Sequence, residues 1–249
     1  MNIKSKYIKP KFKKETNPKI GLLALSTDLT IENDFQSICQ DLPIDIFVNR
    51  IHNENPLSKE NLLKMYDQME SVTEKILPGE KINTVAYGCT SGTIAIGEDR
   101  VKEKIQLAKP DCYVTTPITS AIKAFKKMNV KKIALFTPYP ESVNKTIYEF
   151  FTKKGIQVMS FSTFNLDLDS DFARVDPIYL SKILSEIDTN EVDALFISCT
   201  ALPALQIIEN VEKKINKIVF SSNQTLIWDT IRSVGYKSSI EGYGKLFRN

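Results

Sequence analysis

The chain has 249 residues, 42% hydrophobic and 25% charged, with a net charge of +3, enough for one large domain or two of about 100 to 150 residues. Much of the excess charge sits in Lys4, Lys6, Lys9, Lys11, Lys13, Lys14 and Lys19, which leaves a near-neutral body and argues against nucleic acid as the main partner. No signal-type apolar region follows the lysines and no apolar run reaches the roughly 18 residues of a membrane helix, so a cytoplasmic protein without a membrane partner is expected.

The basic arm reads as a solvated tail or a packing arm. After it, the first apolar run is Ile20 to Leu25, followed by a helical pattern from Leu29 to Leu42 for which Asp28 is a natural N-cap. Cys39 falls inside that pattern, in "NDFQSICQDL", and reads as structural. A second run covers Asp45 to Val48, and the polar stretch "RIHNENP" then carries His52, the single histidine, which reads as solvated. The third run, Ile82 to Tyr87, leads directly into "YGCTSGT". A fourth starts at Cys112, also read as structural, and ends at Thr115 before a helical segment. The remaining runs are Ile133 to Phe136, Gln157 to Phe161, Val192 to Ile197 and Ile218 to Phe220, and the polar carboxyl-terminal "KSSIEGYGKLFRN" reads as a mobile tail. Apolar, β-branched runs alternating with helical patterns predict parallel sheets covered by helices.

The order of features occurs twice. "IGLLALST" from Ile20 answers to "IALFTPYP" from Ile133, an offset of 113, and "INTVAYGCTSGT" from Ile82 answers to "VDALFISCTALP" from Val192, an offset of 110. "VTTPITSAIKAFKKMNV" from Val114 lines up without gaps on "FSSNQTLIWDTIRSVGY" from Phe220, an offset of 106. Such a duplication predicts two pseudo-symmetric, doubly wound α/β domains with a cleft at the carboxyl ends of their strands. The expected division is residues 1–118 plus 224–249 for the first domain and 119–223 for the second.

Cys89 and Cys199 occupy equivalent places, each where a buried strand ends and a helix is expected to begin, and Thr90 and Thr200 follow them. A cysteine beside an apolar strand is ordinarily a small buried hydrophobe. Two of them facing one cleft can do more: hydroxyls and free N–H groups of a helix start can lower a thiol pKa below its ordinary value of about 8.5 without a histidine. Paired acid/base groups across a bound carbon can exchange its proton and invert it. Alternatively, one thiolate can add to an electron-poor double bond, permit rotation and leave. Neither route needs a metal or cofactor, and the chain has no GxGxxG, no GxxxxGK[ST] and no CxxC pair. Two non-catalytic alternatives are a two-domain capture protein for small molecules and a Cys89–Cys199 redox switch, the latter requiring α-carbons within about 7 Å.

The two cysteine motifs, "TPYPESVN" (137–144), "FARVDP" (172–177) and "SSNQTLIWDTIR" (221–232) together resemble the aspartate/glutamate racemase superfamily. They look most like its branch of maleate cis-trans isomerases, arylmalonate decarboxylases and racemase-like proteins of ectoine utilisation. The resemblance spans roughly residues 18 to 236 and implies two α/β domains around an active site, catalytic roles for Cys89 and Cys199, and no cofactor. It also implies a small carboxylate substrate, held by Thr90, Ser91, Thr200 and Ala201 on the turns after the cysteines and by the hydroxyl of Tyr139. Helix capping and half-burial in the cleft are the structural alternatives for these positions. Where maleate isomerases carry a substrate-binding asparagine after the first strand, this chain has Asp28; a second such position falls on Asp169, with Asn165 as a rival. Aspartates there suit an ammonium or amide donor better than a second carboxylate. A racemase of amino-acid-type carboxylates is therefore expected ahead of a maleate isomerase, and a homodimer is expected on general grounds.

Overall fold

The computed structural model describes residues 6–12 and 17–249, so Lys4, Lys13 and Lys14 of the basic arm lie outside the described residues. Along the rest of the arm Tyr7, Ile8 and Phe12 are exposed. The first half of the chain runs β1 (Lys19–Leu25), α1 (Ile31–Cys39), β2 (Asp45–Ile51), α2 (Lys59–Glu74), β3 (Thr84–Tyr87), α3 (Thr90–Ile96), α4 (Glu98–Ala108), β4 (Tyr113–Thr115) and α5 (Pro117–Lys127). The second half runs β5 (Lys132–Thr137), α6 (Glu141–Lys153), β6 (Gln157–Thr163), α7 (Asp169–Ala173), α8 (Pro177–Ser185), β7 (Ala194–Ile197), α9 (Ile208–Ile215), β8 (Ile218–Ser221) and α10 (Ser222–Ser233). Each of the predicted apolar runs is a strand. The helix expected over Leu29–Leu42 is shorter, because the Asp28 carboxylate turns the chain just before it.

Two parallel four-stranded sheets result, in the orders β2-β1-β3-β4 and β6-β5-β7-β8. The central strands β1, β3, β5 and β7 are buried almost throughout, while the edge strands β2 and β6 alternate between covered and exposed residues, as expected where helices cover both faces. Register preserves the duplication: Ile20 lies opposite Thr84 and Ile133 opposite Ala194, the positions that the first two sequence offsets equate. The third offset is corrected by one residue. Thr116 caps α5 and Ser221 caps α10, each through its own side chain, so the capping hydroxyls are the true equivalents and Thr116 does not match Ser222.

The helices after the last strand of each half cross over. Phe125 of α5 packs edge-on against Phe196 of β7 at 5.5 Å and lies tilted against Phe220 of β8 at 5.1 Å, whereas α10 lies along α5, β3 and β4. The carboxyl-terminal segment is not a loose tail. Leu246 and Phe247 are fully buried, the Tyr243 hydroxyl donates to the Ser37 carbonyl of α1, and buried Glu212 of α9 accepts from the backbone N–H groups of Val219 and Lys245. Among the described residues, no helix is long and apolar enough to cross a membrane.

Candidate active site

Both sheets end toward one polar interior, and the two cysteines stand at those ends. Cys89 follows β3 and caps α3 itself: its sulfur accepts from the Gly92 N–H at 3.2 Å, with the Ser91 hydroxyl 3.8 Å away. Cys199 follows β7, but no helix begins there. Pro203 lacks an N–H and disfavours a helical residue before it, so the chain bends, passes a short 3-10 turn at Leu205–Ile207 and becomes α-helical only at Ile208. The Cys199 sulfur therefore has one local donor, the Ala201 N–H at 3.3 Å.

Hydrogen bonds between the halves fix the cysteine turns. Thr90 donates to the Ser222 hydroxyl at 2.9 Å, and the same oxygen accepts from the Cys199 N–H at 3.0 Å. Thr200 donates to the Gly88 carbonyl, and Thr30 donates to the Ala201 carbonyl at 2.8 Å. Thr90 and Thr200 thus spend their hydroxyls on the protein and are not helix caps, whereas Ser91 keeps its hydroxyl beside the Cys89 sulfur. Tyr139 is buried, its ring edge-on to Phe172 at 5.8 Å and its hydroxyl beside Cys199.

The acidic residues fall where the sequence put two of them and add a third. Asp28 is 1% exposed. Its Oδ1 accepts from the Thr30 and Ile31 N–H groups at 2.7 and 2.9 Å, so it does turn the chain into α1, while its Oδ2 is buried without a partner. Asp169 reaches across from α7, accepting from the Thr27 hydroxyl at 2.7 Å and the Asn53 amide at 2.8 Å. Its rival Asn165 makes only a local backbone contact to Thr163. Asp34 of α1 accepts from the Asn223 amide at 2.8 Å, and that amide also donates to the Thr200 carbonyl at 2.7 Å. Asp34, Asn53, Ser222 and Asn223 escaped the sequence reading. "RIHNENP" looks like a solvated turn until Asp169 arrives from the other half: Arg50, His52, Glu54, Asn55 and Pro56 are exposed and match that reading, whereas Ile51 and Asn53 are buried.

Burial dominates the electrostatics. It pushes the Cys89 thiol up to about 12, with the Asp169 charge adding to the effect and the Gly92 N–H opposing it. Cys199 is raised well above its ordinary value for the same reason, then by Asp169 and Asp28, against the Tyr139 hydroxyl and the Ala201 N–H. The expected lowering by the turns is thus outweighed by desolvation at both sulfurs. Desolvation also raises Asp28 and Asp169, and it holds Asp34 at about 7 with the neighbouring Asp28 charge contributing. Cys39 and Cys112 are buried in apolar surroundings and pushed up to about 12 and about 11, consistent with structural thiols.

The fold has known counterparts. The chain is 24% identical to the maleate isomerase of Geobacillus stearothermophilus over 92% of its own length and 96% of the relative's. Its fold superposes with a TM-score of 0.85 on maleate isomerase from Pseudomonas putida S16 with maleate, at 19% identity, covering 94% of this chain and 98% of that one. It superposes equally, with a TM-score of 0.85 and 19% identity over 94% and 99% of the two chains, on a cysteine-to-serine variant of Nocardia farcinica maleate cis-trans isomerase carrying a covalently bound succinylcysteine intermediate. The arylmalonate decarboxylase family model matches residues 95–247, which is more than half of the sequence, and so the chain belongs to the arylmalonate decarboxylase family.

Proposed function

We propose that the protein is a cofactor-independent isomerase in which Cys89 and Cys199 act on opposite faces of one carbon next to a carboxylate, most simply racemising an amino-acid-type substrate. One observation carries this reading: two thiols at equivalent strand ends, each with a backbone N–H donor, influenced by the same Asp169 charge and next to the same Tyr139. In this scheme the thiolate on one side takes the α-proton, the thiol on the other side returns one, and the free Ser91 hydroxyl and backbone donors of the turns hold the carboxylate and its developing enolate. Asp28 and Asp169 explain why the thiols wait for substrate. Their negative charge disfavours a thiolate, and an entering ammonium would neutralise it, occupy the partnerless Asp28 Oδ2 and bring a thiol into its working range.

The relatives favour a second reading, cis-trans isomerisation of a diacid such as maleate. There the Cys89 thiolate adds to one alkene carbon while the Cys199 thiol protonates the other. After rotation the Cys199 thiolate removes that proton and the Cys89 sulfur leaves. That scheme needs Asp28 and Asp169 to enter it protonated, the direction in which burial pushes them, so that they donate hydrogen bonds to the second carboxylate as an asparagine does.

Proton NMR in D2O separates the two, with the protein mixed separately with maleate, aspartate, glutamate, 2,4-diaminobutyrate and its N-acetyl form. Loss of an α-proton signal from an amino compound is the expected result. Fumarate appearing from maleate would instead establish the second reading. Asp28→Asn sharpens the contrast, since it keeps the backbone cap but loses the charge: KM for an amino substrate should rise at least about tenfold, while a diacid would bind as well or better.

A further inference from the structure

We propose that Tyr87 serves Cys89 as a switchable phenol donor, its hydroxyl resting on the Met65 thioether while the sulfur is a thiol and turning to the sulfur when the thiolate forms. Tyr87 ends β3 two residues before Cys89, and alternate residues of an extended segment share a face. The Tyr87 side chain is fully buried. Its hydroxyl donates to Met65 Sδ at 3.5 Å, a weak acceptor. Gly92 shows how close the alternative lies. A Cβ added there would stand 2.7 Å from Cys89 Sγ, 2.7 Å from Tyr87 Oη and 2.8 Å from Met65 Cε, so the three side chains converge on the space that the missing side chain leaves open.

A phenol has one proton to donate, and a thiolate is a far better acceptor than a thioether or a thiol. When negative charge appears on Cys89, the hydroxyl gains by rotating onto it, and no water needs to enter. The device has a counterpart but no repeat equivalent. Tyr139, on the loop after β5, brings its hydroxyl to Cys199, whereas the place of Tyr87 in the second half is taken by Ile197, at the end of β7. Each thiol thus meets a phenol that arrives by a different route, so the pairing is not a by-product of the duplication.

The inference rests on Cys89 working as a thiolate, and its test needs no turnover. In the Cys199→Ser protein, the rate at which methyl methanethiosulfonate modifies Cys89 is followed by peptide mass spectrometry between pH 7 and 9.5. Tyr87→Phe keeps the ring and removes only the hydroxyl. It should slow the modification about three- to tenfold throughout, allowing for the greater intrinsic reactivity of a more basic thiolate. Met65→Leu removes the competing acceptor and should leave the rate unchanged or raise it. The modification of Cys199, measured in the Cys89→Ser protein, should not respond to Tyr87→Phe. An unchanged Cys89 rate in Tyr87→Phe, or an equal slowing in Met65→Leu that would betray a packing effect, overturns the proposal. If the rates behave as expected while the NMR panel stays silent, the phenol switch stands and the isomerase reading falls.

Discussion

At the scale of single residues, burial pushes the Cys89 thiol up to about 12 and Cys199 well above its ordinary value. A thiol held near 12 is almost wholly protonated at neutral pH, so reactivity has to come with the substrate. In the proposed scheme, replacing either sulfur by a hydroxyl removes one of the two groups that exchange the proton across the cleft. Cys89→Ser and Cys199→Ser should each lower kcat by about a thousandfold or more with an unchanged far-ultraviolet circular dichroism spectrum, and turnover surviving both changes would dismiss the two-thiol scheme. Asp34 offers a pH-dependent test of the buried acids. Its folded pKa of about 7 lies above its ordinary 3.8, so the folded state binds the extra proton, and stability is lost as pH rises from about 4 through 7. Ionising Asp34 in the folded protein costs about 4 kcal/mol. Asp34→Asn keeps an oxygen for the Asn223 amide and removes that cost. Its stabilising effect in urea unfolding should be greater at pH 8.5 than at pH 5 by roughly 2 to 3 kcal/mol; an equal effect at both pH values would show that Asp34 does not titrate there.

Among the elements, the strands were legible because a buried parallel strand must be apolar on both faces, and "IGLLAL" or "DALFI" can hardly be anything else. The cysteine turns were legible through the duplication. What escaped has a common cause: its stabilising partner is remote in sequence. Asn53 reads as a solvated turn residue until Asp169 comes within 2.8 Å from the other half. The segment "KSSIEGYGKLFRN" reads as a tail because its apolar side chains, Ile240, Tyr243, Leu246 and Phe247, are outnumbered by polar and glycine residues, yet Leu246 and Phe247 are fully buried and Glu212 of α9 holds the Lys245 backbone. The expected helix after Cys199 failed locally, at Pro203. These two accounts of the carboxyl terminus differ by a measurable amount. Phe247→Ala empties a buried ring site and should destabilise the protein by about 3 to 5 kcal/mol in urea unfolding, where truncating a solvated tail residue would change almost nothing.

For the molecule as a whole, the crossing of α5 and α10 decides how the halves behave. We propose the division into residues 1–118 plus 224–249 and 119–223, which assigns α5 to the second unit and α10 to the first. Under it, each unit takes its last covering helix from the other half of the chain, and neither sheet has its full covering without the whole sequence. Unfolding should then be one cooperative event despite the two sheets. The single tryptophan makes this measurable: Trp228 lies on α10 and reports on the first unit, whereas Phe125 of α5 belongs to the ring cluster with Phe151, Phe196 and Phe220 in the second. Phe125→Ala should destabilise by about 3 to 5 kcal/mol, and the tryptophan fluorescence midpoint in urea should fall together with the circular dichroism midpoint. A Trp228 transition left in place while the dichroism splits into two steps would mean that the units unfold separately and that the exchanged helices do not couple them.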